Sequence, residues 1–301
     1  MGDDLSIPYH DLGPADRPPR LALVAGLHGR PLNGMFVLSR LAAFLKDIAD
    51  GRRPRQRLCE RVVIVPAAAA ATLDGPGRLS GSEAAADPRR TAAVLALTRP
   101  AYYRVDLHDA AWEVEEMPQV CLYAPNDDER ASACLFGLPA VVEQPLEESP
   151  GTALVFAWRA CGGENFVIQA GQAGHLQPYH CDLLFRALVG FLTRTGIVDG
   201  LALAADEDDL HYFGLHQTFA VTASQAGIFV SRLAVGRWVQ AGHILGHIYD
   251  GFTGDIRTQV FAPVSGLVSS LRRQPLLFEG DMIARIQTVR EPAGGQGAPS
   301  R

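Results

Sequence analysis

Two histidines, eighty positions apart, stand where a chain can present metal ligands. His28 lies in Gly26-Leu27-His28-Gly29-Arg30-Pro31-Leu32-Asn33-Gly34, directly after the apolar run Leu21–Ala25. His108 ends the stretch Val105-Asp106-Leu107-His108 and is followed by Asp109. A histidine just past a buried strand, followed by a glycine and a tight turn, presents an imidazole nitrogen into a crevice. Two neutral imidazoles are half of a zinc site. Asp106 reads as a buried partner that orients its neighbours rather than as a ligand.

The elements that would hold these residues follow from the hydrophobic pattern. Leu21–Leu27, Val62–Val65, Tyr102–Leu107, Gln119–Tyr123, Ala140–Val142 and Asn165–Gln169 read as short buried strands. Between them lie helical patterns at Met35 to about Asp50, Thr91–Thr98, Asp128–Phe136 and Pro178 to Thr195. Strands alternating with helices imply an α/β domain with a mainly parallel sheet flanked by helices. In such sheets ligands sit beyond the carboxyl ends of the strands. His28 and His108 both fall there. After the acidic linker Asp206–Asp209 the texture changes to short strands with turn signals between residues 217 and 288, a small all-β module. The expected organisation is 1–200 for the α/β domain, 210–290 for the β-module and 291–301 for a disordered tail.

The bulk numbers agree. The chain has 301 residues, 48 % hydrophobic and 20 % charged, enough for a sizeable core. A net charge of −6 argues against nucleic acid as a partner. No apolar run has the length of a membrane span, and the acidic N-terminus lacks a signal-peptide pattern, so a cytoplasmic location and no membrane partner are expected. The five cysteines (59, 121, 134, 161 and 181) contain no Cys-x-x-Cys pair and read as free thiols in a reducing compartment.

Taken in this order, the segments resemble the succinylglutamate desuccinylase/aspartoacylase family, of the zinc-carboxypeptidase-like fold, from about residue 20 to 288. Gly26–Gly34 corresponds to the family's Gly-x-His-Gly-x-x-x-Asn-Gly, Asp106–His108 to its Asp-Leu-His, and Gln169-Ala170-Gly171 to its Glu-x-Gly. Gly236 to Asp250, Ala262 to Val268 and Glu279–Asp281 follow the family's C-terminal barrel-sandwich module. That module is similar to biotinyl and lipoyl carrier domains. Val264-Ser265-Gly266 stands in place of the modifiable Met-Lys-Met turn, so no prosthetic group is expected.

The resemblance implies zinc-assisted hydrolysis of the amide of a small N-acyl amino acid, with His28 and His108 as metal ligands and a glutamate as general base. It implies a substrate carboxylate gripped by an arginine, for which Arg78, Arg89 and Arg90 are the candidates, with Asn33 at the substrate side. The sequence departs at two of these positions. The acidic ligand is replaced by Pro31, which has no donor atom, and the general base by Gln169, an amide that cannot exchange a proton near neutral pH. Asp109, Glu113, Glu115, Glu116, His175 and His180 are the acidic and imidazole groups that could rebuild a site for zinc, iron or manganese.

Two functions compete. One is a metal-dependent hydrolase with a non-standard site acting on a small carboxylate-bearing compound. The other is a catalytically inactive relative, a pseudoenzyme, that binds a small ligand or joins an intact paralogue in a hetero-oligomer; a homo-oligomer is the alternative assembly.

Overall fold

The computed structural model describes residues 6–27, 32–68, 88–147, 150–202 and 210–289. His28, Pro31 and Arg78 lie outside them, as does the tail 291–301. The chain divides into two compact units: residues 1–111 with 118–212, and residues 112–117 with 213–301. The boundary differs from the expected 200/210 division in that six residues after the His108 strand belong to the second unit.

The first unit contains strands β1 (His10–Leu12), β2 (Leu21–Ala25), β3 (Arg57–Leu58), β4 (Val62–Val65), β5 (Tyr103–Ala110), β6 (Val114–Tyr123), β7 (Ala140–Gln144), β8 (Glu164–Gln172), β9 (Val198–Asp199) and β10 (His211–Phe213). Its helices are α1 (Leu32–Ala49), α2 (Pro88–Thr98), α3 (Asp127–Ala133), α4 (Ala153–Arg159) and α5 (Pro178–Arg194). The sheet order is β1-β4-β2-β5-β8-β6, with β7 beside β6. The pairs β2–β4, β2–β5, β5–β8 and β6–β7 are parallel, and the edge pair β1–β4 is antiparallel.

Strands buried on both faces carry apolar residues at every position, as β2 does over Leu21–Ala25. Alternate residues then feed two cores. On one face Leu23, Val105, Leu107, Phe166 and Ile168 pack with Val37, Leu41 and Leu45 of α1 and Leu184, Leu188 and Phe191 of α5. On the other, Ala22, Val24, Val63, Cys121 and Val167 pack with Val94 of α2 and Leu154, Val155 and Trp158 of α4.

The helices begin and end where side-chain chemistry dictates. Helix α3 has a capping box, in which Asn126 accepts from the Glu129 backbone N–H and the Glu129 carboxylate accepts from the Asn126 N–H. Helix α5 starts with Pro178, whose missing N–H costs nothing at the first helical position.

All described elements of the second unit are strands: β11 (Thr218–Thr222), β12 (Gly227–Ser231), β13 (Trp238–Val239), β14 (Ile244–Tyr249), β15 (Ile256–Phe261), β16 (Gly266–Arg272), β17 (Leu276–Leu277) and β18 (Met282–Thr288). One four-stranded sheet runs β15-β14-β12-β17, and β16, β18 and β11 pair in that order within the sheet that also contains β6. Their facing sides share a core of Phe229, Leu245, Ile248, Val268, Leu271, Ile283 and Ile286. The start of β6 joins this unit by pairing Glu116 with Ser270 and Glu115 with Leu271.

Three of the polar groups near these elements are committed within the protein. Glu115 and Glu116, candidates to rebuild a metal site, sit in strand β6, where Glu115 pairs with Arg273 and Glu116 with Arg285 at 2.9 Å. Glu143 is buried and accepts from Arg130 at 2.9 Å and from the Tyr212 hydroxyl. His180, another of the candidates, is buried in the first turn of α5.

Candidate functional site

The carboxyl end of β5 is where chemistry-bearing residues interrupt the apolar pattern. Asp106 and His108 alternate with Val105 and Leu107, so they face the side of the sheet opposite to α1 and α5. The parallel register of β5 and β8 sets His108 opposite Gln169, so the two share one face. On that face the buried Cys121 thiol of β6 donates to Gln169 Oε1 at 3.1 Å. The centre is therefore a row of an imidazole, a carboxamide and a thiol, drawn from three strands.

Asp106 is almost wholly buried, and its Oδ2 is 2.8 Å from His108 Nε2. The atoms are at ion-pair distance but off the line of a well-formed hydrogen bond. A carboxylate beside one ring nitrogen restrains the orientation of the imidazole.

Whether these residues fit zinc can be tested on the donor set. His108 is a competent ligand with a carboxylate behind it. Among the described residues, however, no three His, Cys, Asp or Glu side chains come together as a metal-holding group. Gln169 brings only a neutral amide beside His108, and Pro31 brings no donor. The described residues thus supply one oriented imidazole and not a complete zinc centre.

Asn33 occupies a different place from the substrate side expected of it. It is fully buried in the first turn of α1, and its polar atoms are used within the protein. Its Nδ2 lies within hydrogen-bond distance of Asp109 Oδ2 and Gln177 Oε1, both at 3.3 Å. Its Oδ1 accepts from the Gln177 backbone N–H at 2.8 Å and from Cys181 Sγ at 3.3 Å. Gln177 Oε1 also accepts from the Gln172 N–H at 2.8 Å. Asn33 therefore fastens the start of α1 to the end of β5 and to the turn between β8 and α5.

Two glycines make this fastening possible. A Cβ on Gly34 would stand 3.2 Å from Leu107 Cβ and 3.3 Å from Ala25 Cβ, so glycine lets α1 lie this close to β2 and β5 without pushing a neighbour aside. At Gly171, with φ +75°, a Cβ would fall 2.4 Å from Gln177 Oε1 and 2.5 Å from Asn33 Nδ2. The Asn33-Gly34 and Gln169-x-Gly171 signatures are thereby two sides of one contact.

Asp109, next to His108, belongs to this contact. Its Oδ2 accepts from the Asn33 backbone N–H at 3.2 Å. Burial pushes its carboxyl up to about 7, against the lowering pull of the Asn33 and Gly34 backbone N–H groups and of nearby His108. Sequence reading placed Asp109 only among spare metal ligands. No periodicity signals its bond to a helix start 76 positions earlier.

The structure thus joins His108, Asp106 and Gln169, and ties Asn33 to Asp109 and Gln177. Arg89 and Arg90 lie in the first turn of α2, the former exposed and the latter half-buried. His175 is exposed, with Nδ1 3.2 Å from the Ala173 carbonyl.

No protein-family model matches the chain, and no curated protein matches it in sequence. Solved structures do match. The product-bound ectoine utilization protein EutE (DoeB) from Ruegeria pomeroyi is 22 % identical with a TM-score of 0.70, over 94 % of this chain and 89 % of that one. An aspartoacylase family protein from Mesorhizobium loti is 20 % identical with a TM-score of 0.67, over 95 % and 90 %. A succinylglutamate desuccinylase/aspartoacylase family protein from Shewanella amazonensis is 13 % identical with a TM-score of 0.71, over 95 % and 94 %. At these identities the likeness establishes the fold along nearly the whole chain, and it is the fold that the motifs implied.

Proposed function

We propose that this chain, built on the fold of the succinylglutamate desuccinylase/aspartoacylase structures, binds a small acylated or carboxylate-bearing compound at the carboxyl ends of β5 and β8 and does not hydrolyse it by the carboxylate-assisted route. The observation that carries this reading is the register that sets Gln169 beside His108. A general base at that position removes a proton from water and returns it to the leaving amine, a contribution of about 10²- to 10⁴-fold in rate. Gln169 has no ionisable proton to exchange, and its carbonyl oxygen is already occupied by the Cys121 thiol. It can instead donate a hydrogen bond through its amide NH₂ to a ligand carbonyl or carboxylate. His108, held by Asp106, offers a second polar contact on the same face.

A second reading, a metal-dependent hydrolase with a non-standard centre, is favoured by one observation. The His108–Asp106 pair has the carboxylate–histidine arrangement that prepares an imidazole for a metal. One experiment separates the two. The chain is purified without chelator or affinity tag, its metal content is measured by elemental mass spectrometry, and it is assayed for both binding and hydrolysis of a panel of N-acyl amino acids. Saturable binding without turnover, weakened in His108→Ala, supports the binding reading. Stoichiometric zinc, iron or manganese with turnover that vanishes in His108→Ala overturns it in favour of the hydrolase.

A further inference from the structure

At the other end of the same sheet lies a cavity that the His108 centre does not use. It has a volume of about 590 Å³ and is lined by Arg17, Arg20, Arg99, Arg104, Tyr102 and Cys161, among others. Arg20 precedes β2, Tyr102 precedes β5 and Gly163 precedes β8, so the cavity opens at the amino ends of the parallel strands. Arg104 and His108 are four residues apart on one extended strand, about 13 Å.

Four guanidinium groups and one carboxylate, Glu60, line it. Arg17 is paired at 3.4 Å with both Asp16 and Glu60, so it contributes least free charge. Arg20 stacks over the rings of Tyr102 (4.2 Å) and Tyr103 (4.9 Å), which fixes its plane without cancelling its charge. The Tyr102 hydroxyl is committed to Glu164 at 2.9 Å. Arg99 is exposed at the end of α2 and has no side-chain partner among the described residues.

Arg104 is the innermost of the four, with 2 % of its surface exposed. It donates only to neutral acceptors: the Gly162 carbonyl at 2.7 Å, Asn165 Oδ1 at 2.9 Å and the Arg99 carbonyl at 3.1 Å. Its Nε is buried and has no hydrogen-bond acceptor among the described residues. A buried cation with no carboxylate against it costs stability unless a counter-charge arrives. Burial lowers its affinity for the proton and the neighbouring Arg99 acts in the same direction, against the opposing pull of Cys161 and Glu129.

We propose that this cavity is a binding site for a small molecule bearing a phosphate or diphosphate group. Planar guanidinium forks bind carboxylate and phosphate alike, but a carboxylate offers two oxygens in one plane. Cations that come from the segment before β2, the end of α2 and the start of β5 suit a tetrahedral group whose oxygens point in several directions. The volume accommodates a compact metabolite and not a polymer.

The test is calorimetric titration of the full chain with inorganic pyrophosphate and inorganic phosphate, with succinate as the carboxylate arm. Saturable pyrophosphate binding is expected, weakened about tenfold or more by Arg99→Gln or Arg20→Gln, each of which removes charge-assisted hydrogen bonds. These two positions are used because Arg104→Gln removes a buried anchor and can unfold the chain; Arg104→Lys is the milder probe. Binding should persist in His108→Ala. Absence of saturable pyrophosphate binding, or binding indifferent to both Arg99→Gln and Arg20→Gln, overturns the proposal. Succinate binding in place of pyrophosphate overturns the ligand class.

Discussion

His108 on β5 and Gln169 on β8 are opposed in a parallel ladder, and the Cys121 thiol is hydrogen-bonded to the far side of the Gln169 amide. The relationship is covalently minor, since one atom separates glutamine from glutamate. It is chemically large, because it exchanges a proton acceptor for a neutral donor–acceptor beside the retained imidazole.

This yields the first prediction. Gln169→Glu alone should leave hydrolysis of N-acyl amino acids at background, because position 31 still lacks a donor. The double variant Pro31→Glu/Gln169→Glu should bind zinc stoichiometrically and gain turnover, with the general base contributing about 10²-fold or more over Pro31→Glu alone. Zinc content and initial rates of the four proteins check this; turnover in the wild type equal to that of the double variant would sink it.

Asn33 supplies the second. Asn33→Ala removes four side-chain contacts, leaves the part-buried Gln177 N–H without its acceptor and leaves Asp109 held by backbone N–H groups alone. A loss of about 3 kcal/mol is expected, since buried groups left without partners cost more than the bonds themselves. The midpoint of urea unfolding reads it directly, and an unchanged midpoint would show that Asn33 does not fasten α1 to the β8–α5 turn.

How much of this was legible in the sequence depends on how local the cause is. Strands β2 and β4 and helices α1 and α5 were readable because each carries its own periodicity and end signals, such as Pro178 at the start of α5. The placement of His108 past an apolar strand was readable for the same reason. The pairing of Glu115 with Arg273 and of Glu116 with Arg285 was not, because both arginines lie more than 150 positions away and the acidic run imitates a solvated loop. Helix α4 was missed because it is short and has no side-chain N-cap to mark its start, whereas α3, of the same length, carries the Asn126–Glu129 capping box. Asn33 was read by resemblance as facing a substrate, and only the three-dimensional contacts with Asp109 and Gln177 reveal that its amide is consumed inside the protein.

Gly171 gives a third prediction, on the backbone. Its φ of +75° is in the left-handed region, and a methyl group there would meet both Gln177 and Asn33 inside 3 Å. Gly171→Ala should cost at least about 1–2 kcal/mol from the backbone conformation alone, and more from displacement of the Asn33–Gln177 pair. Thermal unfolding checks it. The cost should shrink in an Asn33→Ala background, because one of the two clashing groups is then absent; full additivity of the two changes would contradict the contact.

The last prediction concerns pH. Asp109 has its carboxyl raised by burial from an ordinary 3.8 to about 7 in the folded chain. The folded state therefore holds a proton that the unfolded state releases, so the protonated carboxyl favours folding at low pH. That contribution is complete below about pH 4, declines as pH rises, and is gone above about pH 7, where the buried carboxylate must be carried charged. Asp109→Asn keeps an oxygen to accept from the Asn33 and Gly34 backbone N–H groups and never ionises. It should raise the melting temperature at pH 8 by several degrees relative to wild type, with the two proteins converging toward pH 4. A difference that is constant across this range would mean that Asp109 does not titrate there, and that the backbone N–H groups, not burial, decide its charge.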